Sequence, residues 1–128
     1  MLASPDVDQE RRSQWLRGVL DMCVLAMVSS GESYGYRLVQ AMEQAGLGPI
    51  KGGTLYPVLL RLESTGLVAT DWRHGPSGPA RKYYRITGAG QAALRQAMLD
   101  WQAFSSDVTA ILRNGNAILQ KGAEGQST

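Results

Sequence analysis

The residues of this 128-residue chain that are best suited to chemistry are cations in its middle third. Residues 51–95 carry seven Lys and Arg side chains against two acidic ones, whereas residues 1–50 and 96–128 each carry a small acidic excess. A concentrated positive segment attracts phosphate groups, because each cation that pairs with a phosphate releases condensed counterions. The charge pattern alone fits a solvated basic face as well as it fits a phosphate-binding one.

Motifs for catalysis and for metal binding are absent from the sequence. It contains no nucleophile elbow, no HExxH motif, no pair of carboxylates at motif spacing and no Walker-type phosphate loop. The single histidine, His74, and the single cysteine, Cys23, lie far apart, so they make neither a metal site nor an internal disulfide. We therefore expect that the protein is not an enzyme and that it uses no cofactor.

The composition points to one globular domain. Hydrophobic residues make up 44% of the chain and charged residues 19%, which is typical of a folded protein. No apolar run approaches the ~20 residues that a membrane span requires, and the first residues lack the basic-then-apolar pattern of a signal peptide. The sequence thus predicts a cytoplasmic protein that does not associate with membranes.

Apolar residues at helical spacing predict three helices in the first half of the chain. The first helix is expected over residues 14–29, where the apolar side chains follow i, i+3, i+4 and i+7. The second is expected over residues 34–45, with Ser33 as its N-cap. The third is expected to begin at Thr54, which would act as its N-cap, and to end at Gly66.

A two-residue period and a long helix follow in the second half. Alternating residues over 67–73 and 81–87 predict two strands of a hairpin, joined by a turn rich in Gly and Pro. Thr87 is then expected to cap a long helix over residues 88–114. The apolar seam of that helix has the heptad-like spacing that suits helix pairing. Its members are Leu94, Met98, Trp101, Val108 and Leu112.

This order of elements predicts a mainly α fold with a small β-hairpin, namely a winged helix-turn-helix plus a long C-terminal dimerisation helix. The DNA-binding domain is expected over residues 14–87 and the dimerisation helix over 88–114, with flexible termini at 1–13 and 115–128. The third helix is of the right size to enter the major groove of DNA. The basic excess falls on that helix and on the hairpin, which favours DNA binding. The alternative is a winged-helix module for protein interactions that does not bind DNA.

Short blocks of sequence, in order within residues 14–105, match a family pattern. They are LRGVLD at 16–21, GESYGY at 31–36, GTLYP at 53–57, RLE at 61–63, GL at 66–67 and RKYY at 81–84. Together they resemble the PadR family of bacterial transcriptional regulators, and the single long C-terminal helix resembles its short subfamily. The resemblance implies a homodimeric repressor on a palindromic double-stranded DNA operator, relieved by an effector.

The resemblance also implies which residues face DNA. The matching positions in this chain are Tyr36, Thr54, Leu55 and Tyr56, together with the basic pair of the wing, Arg81 and Lys82. The sequence itself adds two further candidates. Lys51 stands at the start of the third helix, where the positive end of the helix dipole also attracts phosphate. Arg61 lies within that helix, although it could instead pair with Glu63 or Asp71.

An effector site is expected at the dimer interface. The resemblance implies that Trp101 stacks a planar ligand, and Met98 and Met22 are adaptable side chains that suit such a pocket. Ser105 stands where some drug-binding members have an acidic residue, which argues against a cationic drug and favours a small aromatic or hydrophobic effector. Trp72 is expected to pack, without a role in ligand binding.

Overall fold

The computed structural model of the protein describes residues 5–76 and 78–126. These residues form four helices and a small sheet, and they divide into two compact units, one ending at Leu94 and one beginning at Arg95. The predicted fold class, mainly α with a hairpin and a long C-terminal helix, is confirmed. In chain order the elements are α1 (Pro5–Ser29), β1 (Ser33–Tyr34), α2 (Gly35–Gln44), α3 (Gly52–Ser64), β2 (Val68–Arg73), β3 (Arg81–Ile86) and α4 (Gly88–Gln126).

The sheet is antiparallel, with β3 between β1 and β2. The predicted hairpin of β2 and β3, called the wing below, is confirmed, and in its register Thr70 lies opposite Tyr84 and Trp72 opposite Lys82. β1 is too short for its period to be recognised in the sequence. Ser33, predicted as the N-cap of α2, lies in β1 and is buried there, and Tyr34 takes the N-cap position without a side-chain hydrogen bond.

The core of the first unit lies where α1, α2 and α3 pack against the wing. The contribution of α3 follows directly from its sequence, because one face of that helix carries an apolar residue at i, i+3, i+4 and i+7. All four of these residues are buried, namely Leu55, Val58, Leu59 and Leu62. The other face of α3 is therefore left outside the core and is open to a ligand.

Both long helices extend beyond their predicted limits. α1 begins at Pro5 rather than near residue 14, and α4 continues to Gln126 rather than ending at 114. The added residues lack a sustained apolar stripe, so they gave no periodic signal, but most of them are good helix formers. Residues 5–13 and 115–126 are thus helical, and the rest of the predicted flexible termini lies outside the described residues. The division into a DNA-binding domain and a dimerisation helix stays a prediction.

Thr87 caps α4, as the sequence predicts. Its Oγ1 accepts a hydrogen bond from the backbone N–H of Gly90 at 3.0 Å and donates to the carbonyl oxygen of Gly66 at 2.7 Å. The turn is tight, because a Cβ added to Gly90 would lie 2.0 Å from the carbonyl oxygen of Leu67. The cap thereby ties the start of α4 to the segment between α3 and β2.

We expect Thr87→Ala to lower the free energy of unfolding by about 1 kcal/mol, the usual value of an N-cap. Thr87→Ser keeps the hydroxyl and should retain most of the stability. Urea denaturation of the three proteins measures the difference. Equal stabilities of Thr87→Ala and the parent chain would contradict the assigned cap.

Candidate nucleic-acid interface

A groove of about 570 Å³ runs between the outward face of α3, the wing and the start of α2. Four of the eight predicted DNA-facing residues line it, namely Tyr36, Tyr56, Arg81 and Lys82. These residues are up to 46 positions apart in the sequence, and the fold brings them to one surface. The groove therefore lies between α3 and the wing, the two elements whose basic residues were predicted to face DNA.

Large apolar side chains on the walls of this groove are exposed. Tyr36 is 65% exposed, and Tyr56, Leu60 and Trp72 are also more than half exposed. Trp72 was expected to pack, and that expectation is wrong in the first unit, because the residue stands near the far end of β2, beyond the reach of the core. Exposed apolar patches of this kind usually mark a binding surface.

The position of Tyr56 depends on a glycine in the neighbouring helix. A Cβ added to Gly35 would lie 2.6 Å from the hydroxyl oxygen of Tyr56. The absence of a side chain at position 35 thus lets the Tyr56 ring lie against the first turn of α2. The close approach orients a tyrosine hydroxyl at the junction of α2 and α3, where it can donate a hydrogen bond to a phosphate.

The amino end of α3 differs from the prediction. The helix begins at Gly52 with Lys51 at the N-cap position, and Thr54 lies in the first turn, its N–H bonded to the carbonyl oxygen of Lys51 at 2.9 Å. Two adjacent glycines are weak helix formers, which hid the true start in the sequence. No acidic residue occupies the first turn of α3. Lys51 is exposed and makes no ion pair within the described part of the chain, so this helix end is electropositive.

Leu55 and Arg61 do not line the groove. Burial contradicts the prediction of Leu55 as a DNA contact, whereas the contact predicted for the exposed Arg61 stays a prediction. Leu55 is fully buried in the core. Arg61 forms a two-point pair with Asp21 of α1, with Nη2 2.7 Å from Oδ1 and Nε 3.2 Å from Oδ2. Arg61 thus connects α3 to α1, and it pairs with neither of the carboxylates considered from the sequence.

The two basic residues of the wing have different surroundings. The Nζ of Lys82 donates to Glu63 of α3 at 2.7 Å, and the other carboxylate oxygen of Glu63 accepts from the hydroxyl of Thr70 at 2.7 Å. Arg81 is exposed, and its guanidinium lies 4.5 Å from the centre of the Tyr34 ring. Lys82 therefore holds the wing against α3, whereas Arg81 keeps a charge that no carboxylate among the described residues neutralises.

The Lys82–Glu63 pair predicts a pH dependence of stability. The hydrogen bond from Lys82 lowers the pKa of Glu63, and the same bond raises the pKa of Lys82. A carboxylate with a lowered pKa contributes its stability above the unfolded pKa of about 4.3 and loses it as pH falls through the folded pKa. We expect Glu63→Gln to be less stable than the parent chain at pH 7, by about 1 kcal/mol or less.

This difference should shrink between pH 7 and pH 3, since the stability that a lowered carboxylate pKa contributes is lost progressively as pH falls below the unfolded pKa. Thermal unfolding of the two proteins at both pH values measures the change. Asp107→Asn serves as the control, because it removes an exposed carboxylate that has no ion pair among the described residues. A Glu63→Gln difference of the same size at pH 3 as at pH 7 would contradict the role given to the pair.

The three predicted effector residues lie in different units. Met22, on α1, is half-buried against the core of the first unit. Met98 and Trp101 lie on α4 in the second unit, where Trp101 is 44% exposed and its ring centre is 6.5 Å from that of Phe104. The aromatic pair belongs to an exposed apolar face of α4. An effector site formed by these residues stays a prediction.

Neither a metal site nor a membrane-spanning helix is found among the residues described. No group of three or more His, Cys, Asp or Glu side chains among them could hold a metal ion. None of the helices in that part of the chain is long and apolar enough to cross a membrane. Burial raises the pKa of the half-buried Cys23 thiol, which keeps it protonated at neutral pH.

Sequence reasoning missed six of the residues that line the groove, and the largest exposed or partly exposed ones are Tyr34, Leu60 and Trp72. Leu60 carried a usable signal, because it is an apolar residue that falls outside the buried stripe of α3. Trp72 carried another, since it is an aromatic residue at the end of its predicted strand face, next to the turn of the hairpin. No signal in the sequence pointed to Tyr34, because this residue reaches the groove only through the unpredicted pairing of β1 with β3.

Known proteins similar to this chain are regulators of transcription. Residues 24–96 match the Transcriptional regulator PadR-like family. The chain is 36% identical to Transcriptional regulator Rv3488 of Mycobacterium tuberculosis over 83 residues, 65% of this chain and 76% of that protein. A solved PadR family transcriptional regulator from Eggerthella lenta is 38% identical with a TM-score of 0.75, covering 84% of this chain and 93% of its own. A solved Streptococcus transcriptional regulator is 40% identical with a TM-score of 0.67, and the match covers 77% of this chain and 96% of that one. The chain therefore belongs to the PadR-like family, and it is a DNA-binding transcriptional regulator rather than an enzyme.

Proposed function

We propose that this protein is a homodimeric, sequence-specific repressor that acts in the cytoplasm on a palindromic operator and is released by a small aromatic or hydrophobic effector. The observation that carries the proposal is the groove between α3 and the wing. Its aromatic walls and the unneutralised charge of Arg81 suit a sugar–phosphate strand. In this arrangement α3 enters the major groove and the wing lies along the neighbouring backbone.

Five residues are proposed to contact DNA. Lys51 and Thr54 serve at the amino end of α3, Tyr36 and Tyr56 at the junction of α2 and α3, and Arg81 on the wing. Lys51 and Arg81 supply charge, whereas the three hydroxyl groups supply hydrogen bonds to phosphate oxygens. Lys82 is assigned to positioning the wing, because Glu63 already neutralises its charge.

The partner proposed for α4 is a second copy of the same chain. Apolar residues on one side of α4 are exposed, including Trp101, Val108 and Leu112. They follow Leu94 and Met98 at alternating spacings of four and three, with Ser105 as the polar member. This heptad pattern suits pairing with another helix, and burial of the face would stabilise the pair. A two-fold axis would then hold two α3 helices for half-sites about 34 Å apart.

Control by an effector requires that the ligand bind one arrangement of the dimer more tightly than the other. Trp101 is the proposed platform, because it is a large aromatic side chain on the face assigned to dimerisation. Titration with flat aromatic compounds should quench Trp101 fluorescence and release bound operator. Trp101→Phe is the matched control, since it removes the reporter and keeps an aromatic ring. No response across a broad panel would overturn effector control.

Footprinting on the DNA upstream of the protein's own gene tests the proposal as a whole. We expect two protected half-sites, symmetric in sequence and about 10 base pairs apart from centre to centre. A reporter driven by that DNA should be weaker in cells that express the protein. An increase would make the protein an activator, and the absence of protection on any duplex would contradict sequence-specific binding.

A further inference from the structure

The ring of Tyr34, at the end of β1, makes cation–π contacts with two arginines. The guanidinium carbon of Arg37, in the first turn of α2, lies 4.6 Å from the centre of the Tyr34 ring. That of Arg81, at the start of β3, lies 4.5 Å from the same centre. The two guanidinium carbons are therefore no more than about 9 Å apart. Arg37 was not among the residues that the sequence indicated.

The carboxylates on this side of the sheet are already used by other arginines. Arg73 donates hydrogen bonds to the carboxylates of Glu32 at 2.6 Å and of Asp71 at 2.9 Å. Asp71 also lies 3.9 Å from Arg85. Neither Arg37 nor Arg81 has an ion pair within the residues that the structure describes, and Arg81 lies directly opposite Arg73 in the sheet.

The Tyr34 ring is also held in place by strand pairing and by a second aromatic ring. β1 pairs with β3, which sets Tyr34 opposite Tyr83, and the two rings meet edge to face with their centres 5.3 Å apart. A fixed aromatic ring favours a cation above it, but it does not neutralise the charge. Two guanidinium groups on one ring repel each other, and negative charge placed beside both would offset the repulsion.

We propose that Arg37 and Arg81 form a clamp for the phosphodiester backbone of one DNA strand, with Tyr34 as its positioning residue. The planar guanidinium matches the oxygens of a phosphate better than an ammonium does. Tyr34 and Arg81 line the groove between α3 and the wing, so the clamp stands at its rim. This inference rests on the proposed function, because it requires that duplex DNA occupy the groove.

Salt dependence of DNA binding tests the clamp, with fluorescence anisotropy of a labelled operator duplex as the measurement. Each phosphate contact contributes about 0.9 to the slope of log K against log salt. A dimer in which Arg37→Ala removes one contact per protomer should lose about 2 from that slope, and Arg37→Ala/Arg81→Ala about 4. Arg85→Ala is the matched control, because it removes the same charge from an arginine beside a carboxylate, and it should leave the slope nearly unchanged.

An Arg37→Ala slope equal to that of the parent chain, with parent binding intact, would overturn the clamp and leave the proposed function standing. An equal loss of slope in Arg85→Ala would also overturn it, because the effect would then be one of general charge. Failure of the parent chain to bind any duplex would reject the proposed function and the clamp together.

The positioning role of Tyr34 needs a test of its own. Tyr34→Phe keeps the ring and should bind with the parent affinity and slope. Tyr34→Leu removes the ring and should weaken binding about 10-fold, and adding Arg37→Ala to it should cost less than Arg37→Ala does alone. Equal binding of the Leu and Phe variants, or full additivity with Arg37→Ala, would overturn the role of the ring. Thermal unfolding of each variant separates this effect from a loss of structure.

Discussion

Replacing Trp101 with aspartate should convert the proposed dimer into a monomer and weaken operator binding about 100-fold or more. Trp101 lies within the exposed apolar face of α4 that is assigned to a second copy of the chain. A carboxylate there would have to be buried without a partner, which strongly opposes association. A monomer binds the two half-sites independently, and the loss of linkage alone typically costs 10²–10⁴ in affinity.

Light scattering at micromolar concentration measures the mass, and anisotropy measures the affinity. Ala103→Asp is the matched control, because it places the same charge on α4, two residues away on the side that the heptad pattern turns outward. We expect Ala103→Asp to keep twice the chain mass and the parent affinity. A parent chain that is a monomer, or a Trp101→Asp variant that remains a dimer, would refute the assignment of this face.

Reversal of two charges, in Lys51→Glu/Arg81→Glu, is the other change with a large expected effect. Hydrogen bonds to charged groups contribute about 1.5–3 kcal/mol each, so the loss of both should weaken binding about 100-fold or more. The fold should tolerate both changes. A glutamate at position 51 stands at the positive end of α3, and one at position 81 lies opposite Arg73 in the sheet.

The control for this variant is Arg11→Glu/Arg85→Glu, which changes the net charge by the same amount. Arg11 lies 3.7 Å from Asp8 on α1, and Arg85 lies 3.9 Å from Asp71, so both belong to existing ion pairs. Anisotropy at one salt concentration compares the two variants, with thermal unfolding to verify folding. Similar losses of affinity in both would show that net charge, and not the positions of Lys51 and Arg81, governs binding.

The elements that sequence reasoning located correctly are those with a strong local signal. The two strands of the hairpin followed from the alternation of residues in β2 and β3, and the cap of α4 followed from Thr87. The buried face of α3 followed from its i, i+3, i+4 spacing. Signals of this kind are local, because they depend on residues within one helical turn or one strand.

The features that sequence reasoning missed depend on contacts distant in the sequence. Arg61 and Asp21 are 40 residues apart, and Lys82 and Glu63 are 19 apart, so neither pair has a local pattern. The same holds for β1, which exists only through its pairing with β3. Long-range pairs of this kind decide which cations are neutralised, and they therefore decide which residues of the basic segment remain available to DNA.

The error at Leu55 has a different origin. The family pattern marks a block of consecutive residues, but consecutive residues on a helix point about 100° apart. Tyr56 faces the groove, and Leu55, its neighbour, is therefore turned into the core. A family block identifies the helix that meets DNA, whereas the helical period decides which of its residues do so.

The most direct measurement of the central claim is the salt dependence of binding between the parent chain and its operator duplex. Lys51 and Arg81 in each protomer of a dimer predict a slope of log K against log salt of about −3.6, and Arg37 in each protomer would bring it to about −5.4. A slope near these values supports a charged groove that reads duplex DNA. Binding that is insensitive to salt, or no binding to any duplex, would contradict the account and favour a winged-helix module for protein interactions.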